Sequence, residues 1–106
     1  MERVCLRFYV TEFQKHNGML LYEWLLERAK ALGVPGGTAL RAIAGYGRHR
    51  VLHEEGFFEL AGDMPVEIEF VLDEKQAADL VALLIAEKLH LFYVRMPITT
   101  GIVGES

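Results

Sequence analysis

The sequence of 106 residues has very little cysteine or serine, and this argues against two common kinds of catalysis. Cys5 is the only cysteine, so no disulfide can form within the chain, and a lone thiol is typical of a reducing, cytoplasmic setting. Ser106 is the only serine and does not stand in the setting of a nucleophile. We therefore predict a cytoplasmic protein that is not an enzyme.

Long apolar runs and an excess of positive charge are also missing. The longest apolar run, Leu80 to Ala86, is far shorter than the roughly 20 residues that a membrane-spanning helix needs. The N-terminal MERVCLRFYV alternates between polar and apolar residues, so we expect no signal peptide. Fifteen Asp and Glu oppose eleven Lys and Arg, giving a net charge of −4. This charge argues against a broad nucleic-acid-binding surface.

Apolar residues occur instead in short patterns with two different periods. A period of two predicts strands, as from Arg3 to Val10, and a period near 3.6 predicts amphipathic helices, as from Met19 to Leu32. Asp73 followed by Gln76 forms a capping-box pattern that begins the second helix. The predicted elements are strand 3–10, helix 19–32, strand 38–44, strand 65–72, a helix from 73 to about 88 and strand 91–98.

This order of elements is typical of an α+β, ferredoxin-like βαββαβ sandwich in which two helices cover one face of a four-stranded antiparallel sheet. We expect a single domain spanning residues 1–106, with Arg7 opposite Glu67 or Glu69 on the uncovered face. That face is either solvated or packed against copies of itself, and its bulky residues favour the second interpretation. The residues predicted there are Cys5, Arg7, Tyr9, Arg41, Glu67, Glu69, Val71, Tyr93 and Arg95.

The segment Gly45-Tyr46-Gly47 is the first candidate for a binding site. Glycines permit positive φ and close approach of the backbone to a ligand, and successive N–H groups in such a turn can hold an anion. Arg48 and Arg50 add donors suited to phosphate. The motif matches no established phosphate-binding loop, so an ordinary hairpin turn with solvated arginines is the alternative.

Two histidines in the same segment form a second candidate. His49 and His53 have the spacing of metal ligands on one face of a helix, and Glu54 and Glu55 offer oxygen atoms. The region has no helical pattern, so solvated surface histidines are the alternative.

Several short motifs follow one another along nearly the whole chain. They are His16 with Gly18, Val34 to Thr38, Gly45-Tyr46-Gly47, Leu52-His53, Asp63-Met64-Pro65 and Ile68-Glu69. Their order and spacing resemble the PII-like family known as domain of unknown function 190. More distantly, GYGRHR is similar to the G-F-G-R-Q-K with which PII signalling proteins begin their long T-loop, and PVEIEFVLDEKQ is similar to the strand and helix start that follow that loop.

The resemblance implies a function. PII proteins are trimers with their sheets turned inward; they bind ATP or ADP in clefts between subunits, and the T-loop inserts into a target protein. By this resemblance the chain forms a homotrimer that binds a small anionic effector and has a T-loop-like segment at about 45–63. The implied nucleotide-binding residues are Gly45, Tyr46, Gly47, Arg48, His49 and Arg50.

Departures from the PII pattern refine this expectation. The basic, glycine-rich loop before the last PII strand is replaced by AEKLHLFY, in which Lys88 supplies charge but no glycine supplies backbone freedom. The C-terminal Arg-x-Arg of PII proteins is also missing. An adenine nucleotide with fewer phosphates than ATP is therefore the expected effector, and no cofactor is required. Family members often lie near ion-transport genes, which implies a transporter or channel as partner. The alternative is a trimeric metal-binding protein similar to the CutA proteins, with His49 and His53 as ligands.

Overall fold

The computed structural model describes residues 2–45, 47–48, 57–58 and 64–105. Within this part of the chain, no helix is long and apolar enough to cross a membrane. The strands are β1 (Glu2–Thr11), β2 (Lys15–His16), β3 (Met19–Leu20), β4 (Gly36–Arg41), β5 (Gly47–Arg48), β6 (Phe57–Phe58), β7 (Pro65–Leu72) and β8 (Tyr93–Thr99), and the helices are α1 (Leu21–Ala31) and α2 (Glu74–Ala86).

The main sheet is antiparallel, with strand order β4-β7-β1-β8. Alternation along β1 and β7 places one set of side chains under the helices, where Leu6, Phe8, Ile68 and Phe70 are almost completely buried. Both helices pack their apolar stripes against this set. The predicted ferredoxin-like α+β arrangement is therefore confirmed.

The opposite side of the sheet carries no helix, and we call it the open face. Arg7 in β1 lies opposite Glu69 in β7 and opposite Val94 in β8. This register determines which residues of the three strands share the open face. The side chains that share this face are Cys5, Arg7, Tyr9, Thr38, Leu40, Glu67, Glu69, Val71, Val94, Met96 and Ile98.

The predictions for Tyr93 and Arg95 are wrong. Tyr93 lies opposite Phe8, and the two rings pack at 5.6 Å between centroids. Arg95 lies opposite Leu6 and pairs with Glu74 at the start of α2. Both residues therefore face the helix side, because polar and aromatic groups can border the helices at this edge strand. The apolar residues that alternate with them in β8 therefore point away from the helices.

The prediction for Arg41 is wrong for a related reason. Strand β4 covers Gly36–Arg41 rather than 38–44, and Ala39 lies opposite the buried Ile68. This register turns Leu40 to the open face, where it is 47% exposed, and places Arg41 on the helix side opposite Val66.

The connection between β1 and α1 contains structure that we did not predict. Strands β2 and β3 form a small hairpin whose loop residues, Asn17 and Gly18, have φ of 53° and 82°. Asn-Gly is the preferred sequence for such a two-residue turn, because both positions need positive φ. The signal was present in the sequence but was interpreted as a polar connection.

Candidate functional site

An ion-paired network occupies the centre of the open face. Arg7 Nε lies 2.8 Å from Glu69 Oε2 and 3.7 Å from Glu67 Oε1, and all three side chains are about one-third exposed. The pKa of Arg7 is raised above its ordinary value. The hydrogen bond with Tyr9 is the largest cause, and the hydrogen bond with Glu69 is the next. The predicted pairing of Arg7 is confirmed, and two carboxylates share one guanidinium.

Apolar groups surround this network. Val71, Val94 and Met96 lie beside it on the open face and are half-buried. Cys5 is buried among them, and this burial, together with the nearby charge of Glu69, raises the pKa of its thiol although Arg7 acts in the opposite direction. The open face therefore combines a partly covered ion-paired centre with apolar neighbours.

A second group of contacts lies where β1 ends, β4 ends and β7 begins. The backbone N–H of Ala42 donates to the Pro65 carbonyl at 3.0 Å, and the N–H of Glu12 donates to the Met64 carbonyl at 3.0 Å. Arg41 Nη2 lies 2.7 Å from Glu12 Oε2. We call this region the Gly45 end of the sheet, because the G-Y-G motif begins there.

Gly45 itself packs beside the first residue of β7. A Cβ atom at Gly45 would lie 3.6 Å from Pro65 Cγ, which is ordinary van der Waals contact, and its φ is not in the left-handed region. Gly47 and Arg48 then pair through their backbones with Phe58 and Phe57 in a two-stranded ribbon. The motif therefore leads from the sheet into a hairpin. The other predicted site residues, Tyr46, His49, Arg50 and His53, lie outside the described residues.

The connection from α2 to β8 has an unexpected backbone. Lys88 has φ of 60°, and it is the position at which helices usually place glycine. The N–H of Lys88 donates to the Ile85 carbonyl and that of Leu89 to the Leu84 carbonyl, which is the Schellman arrangement. These two bonds hold Lys88 in the left-handed region although it is not a glycine.

The β2–β3 hairpin contacts this connection through two side chains. His16 Nε2 lies 2.8 Å from Glu87 Oε1, and Asn17 Nδ2 donates to the same oxygen at 3.4 Å. The His16 ring also meets the Trp24 ring edge-on, with 4.6 Å between centroids. The sequence offered no signal for these contacts, since the partners are distant along the chain.

Gly45, where the G-Y-G motif begins, and Lys88 lie at the same end of the sheet but at opposite edges. Gly45 follows edge strand β4, whereas Lys88 precedes edge strand β8, and β7 and β1 separate the two. Three strand spacings correspond to about 14 Å. The width of the sheet therefore separates Gly45 from Lys88.

One cleft bordered by described residues lies away from this end. A cleft of about 490 Å³ lies at the opposite end of the sheet, bordered by Arg3, Gly36, Val71 and Ile102. Within the ranges that the structure describes, no three His, Cys, Asp or Glu side chains are grouped as metal ligands. The metal alternative rests on His49 and His53 and stays a prediction.

Comparison with known proteins places the chain in a family. The model of DUF190, described as an uncharacterized ACR, matches residues 3–99. The chain belongs to the DUF190 family. It is 36% identical over 76 residues to the UPF0166 protein of Aquifex aeolicus, covering 72% of each chain. It is 36% identical over 66 residues to a UPF0166 protein of Methanocaldococcus jannaschii, covering 62% of this chain and 60% of that one.

Solved structures with the same fold carry PII-like names. The DUF190 chain superposes on CPII of Thiomonas intermedia bound to ADP and bicarbonate with a TM-score of 0.64 and 20% identity, covering 96% of this chain and 91% of that one. It superposes on a putative PII-like signaling protein of Thermus thermophilus with a TM-score of 0.61 and 19% identity, covering 92% and 87%. At this identity the likeness establishes a PII-like fold.

Proposed function

We propose that this DUF190 protein is a PII-like regulatory protein without catalytic activity, which binds an adenine nucleotide between the subunits of a homotrimer. The observation that carries the proposal is the placement of the G-Y-G motif and Lys88 at one end of the sheet but at opposite edges. Subunits arranged edge to edge would bring the two together. The PII-like protein CPII was solved with ADP and AMP bound, which supports an adenine nucleotide as effector.

The open face supports the trimer. The Arg7–Glu69 pair and its apolar border are half-buried in a single chain, and the apolar residues of β8 point to the same face. Packing three such faces together would remove apolar area from water while keeping each arginine paired. The segment 45–63, which starts at the ribbon of β5 and β6, would then carry the nucleotide-bound state to a partner such as an ion transporter or channel.

Calorimetric titration of the full chain with ADP, AMP and ATP tests the proposal. Arg48→Ala with Arg50→Ala should weaken binding by roughly a hundredfold to ten-thousandfold, since each of the two charge-assisted contacts to phosphate contributes about 1.5–3 kcal/mol. The control removes two positive charges elsewhere, with Arg28→Ala and Lys30→Ala on the exposed side of α1, and should bind as the wild type does. No heat with any adenine nucleotide would refute the proposal.

Calorimetric titration also distinguishes the metal-binding alternative from nucleotide binding. Titration with Zn²⁺ and Cu²⁺, and with the same ions after His49→Ala and His53→Ala, tests whether these two side chains are ligands. If the wild type binds metal but no nucleotide, and the double variant loses the metal binding, the CutA-like function would be favoured.

A further inference from the structure

Arg41 is an exposed arginine whose position is fixed at the Gly45 end of the sheet. Its contact with Glu12, at 2.7 Å, engages Nη2, and the arginine side chain is 64% exposed whereas that of Glu12 is 18% exposed. A guanidinium has five N–H donors in a rigid fork, so one contact leaves most of its capacity to bind an anion. The partly buried carboxylate therefore acts as an anchor for an outward-facing cation.

The surroundings of Arg41 are those of the proposed nucleotide site. Arg41 lies opposite Val66, and Gly45 packs on Pro65, so the cation and the glycine flank consecutive residues at the start of β7. The N–H of Glu12 is bonded to the carbonyl of Met64, the residue before them. The pairing with Val66 and the ion pair with Glu12 thus hold Arg41 beside the start of β7, at the same end of the sheet as Gly45.

We propose that Arg41 is an additional anion-binding residue of this DUF190 protein, with Glu12 as its positioning residue. The ligand group is a phosphate of the nucleotide, which the guanidinium would bind through N–H donors not used by Glu12. The inference rests on the proposed function and deepens it. It adds a cation that the sequence motif did not include and that the predicted strand phase had placed on the wrong face.

If Arg41 had only a structural role, replacing it would not change the affinity for ADP specifically. Arg41 is well exposed and water still reaches Glu12, so Arg41→Ala should stay folded and unfold only slightly below the temperature of the wild type. Its affinity for ADP should nevertheless fall about tenfold, and Arg41→Lys should lie between the two because lysine keeps the charge but not the fork. Affinity for adenosine, which has no phosphate, should be unchanged in all three proteins.

The control is an arginine of the same kind. Arg95 is also an exposed strand residue on the helix side that pairs with a glutamate, but this partner, Glu74, begins α2 at the end of the sheet away from Gly45. Arg95→Ala makes the same change in net charge and should bind ADP as the wild type does. Equal losses in the Arg41→Ala and Arg95→Ala variants would overturn the proposal, because a general change of charge would explain both.

Glu12→Gln tests the positioning role through a double-mutant cycle. The single variant should weaken ADP binding about threefold, and the effect should vanish in the Arg41→Ala background. An effect of equal size in both backgrounds, or tighter binding in the single variant, would overturn the role of Glu12. Wild-type protein that binds none of ADP, AMP and ATP refutes the proposed function and this inference together, whereas wild-type binding with an unaffected Arg41→Ala variant refutes the inference alone.

Discussion

Gly37 shows how closely β4 approaches the core. A Cβ atom at this position would lie 2.8 Å from two carbons of the buried Phe70 ring and 3.2 Å from Leu26 Cδ2. The ring is held among core residues, so it cannot move aside without disturbing its neighbours. Gly36, one residue earlier, has open space at the equivalent position.

Gly37→Ala should therefore lower the free energy of unfolding by about 1–3 kcal/mol, as expected for overpacking in a core. Gly36→Ala is the matched control, and it should leave the stability unchanged or slightly higher because alanine restricts the unfolded chain. Chemical denaturation of both variants measures the difference. Equal stability of the two would show that Phe70 adjusts freely.

Cys5 provides a dependence on pH at the same scale. Burial and the charge of Glu69 raise the pKa of its thiol, so the folded state favours the neutral form. Stability that depends on this thiol is complete below the ordinary thiol pKa and is lost as pH rises through the raised value. The stability difference between the wild type and Cys5→Ala should be constant near neutrality and shift against the wild type above roughly pH 9. A difference that does not change with pH would contradict the prediction.

At the scale of elements, the two helices end in the same way with different residues. Gly33 follows α1 with φ of 85°, and Lys88 follows α2 with φ of 60°. The bonds that close the first turn run from Gly33 to Lys30 and from Val34 to Ala29, as in the second. Glycine takes this conformation without steric cost, whereas lysine does not.

Lys88→Gly should consequently raise the free energy of unfolding by about 0.5–1 kcal/mol. Lys88→Ala serves as the control, because it removes the same side chain but keeps a Cβ atom, and its stability should match the wild type. Denaturant melts distinguish the three proteins. If both variants changed stability equally, the side chain of Lys88 rather than its backbone would be responsible.

At the scale of the whole molecule, the orientation of β8 is the feature that the proposed assembly would explain. Its apolar residues Val94, Met96 and Ile98 face away from the helices. Val94 lies opposite Arg7 and Met96 lies opposite Cys5, so the apolar side chains continue from the ion-paired centre along the open face. The proposed trimer would cover them.

Light scattering tests this with one substitution. The wild type should show about three times the chain mass, and Met96→Glu should show one chain mass, since assembly would then have to remove a carboxylate from water in place of an apolar side chain. Ala82→Glu introduces the same charge on the exposed side of α2 and should remain assembled. A wild-type monomer at micromolar concentration, or an assembled Met96→Glu variant, would contradict the interface on the open face.

Local patterns in the sequence determined the two helices, the strands of the main sheet and much of the core. The alternation in β1 and β7 identified which residues face the helices, because both strands are central and the core excludes polar groups from one side. Asp73 and Gln76 form the predicted capping box, with the Gln76 N–H donating to Asp73 Oδ1 at 2.7 Å, because capping depends on residues only three positions apart. The motif order was sufficient to identify the family.

Only the tertiary structure decided the faces of the edge strands and the contacts between distant segments. In β4 and β8 each side chain borders solvent on at least one side, so periodicity does not determine its direction, and Arg41, Tyr93 and Arg95 were assigned to the wrong face. The pairs Arg41–Glu12 and His16–Glu87 join residues that lie far apart in sequence. Such pairs form because the packed sheet and helices bring their backbones together, and no local pattern encodes that proximity.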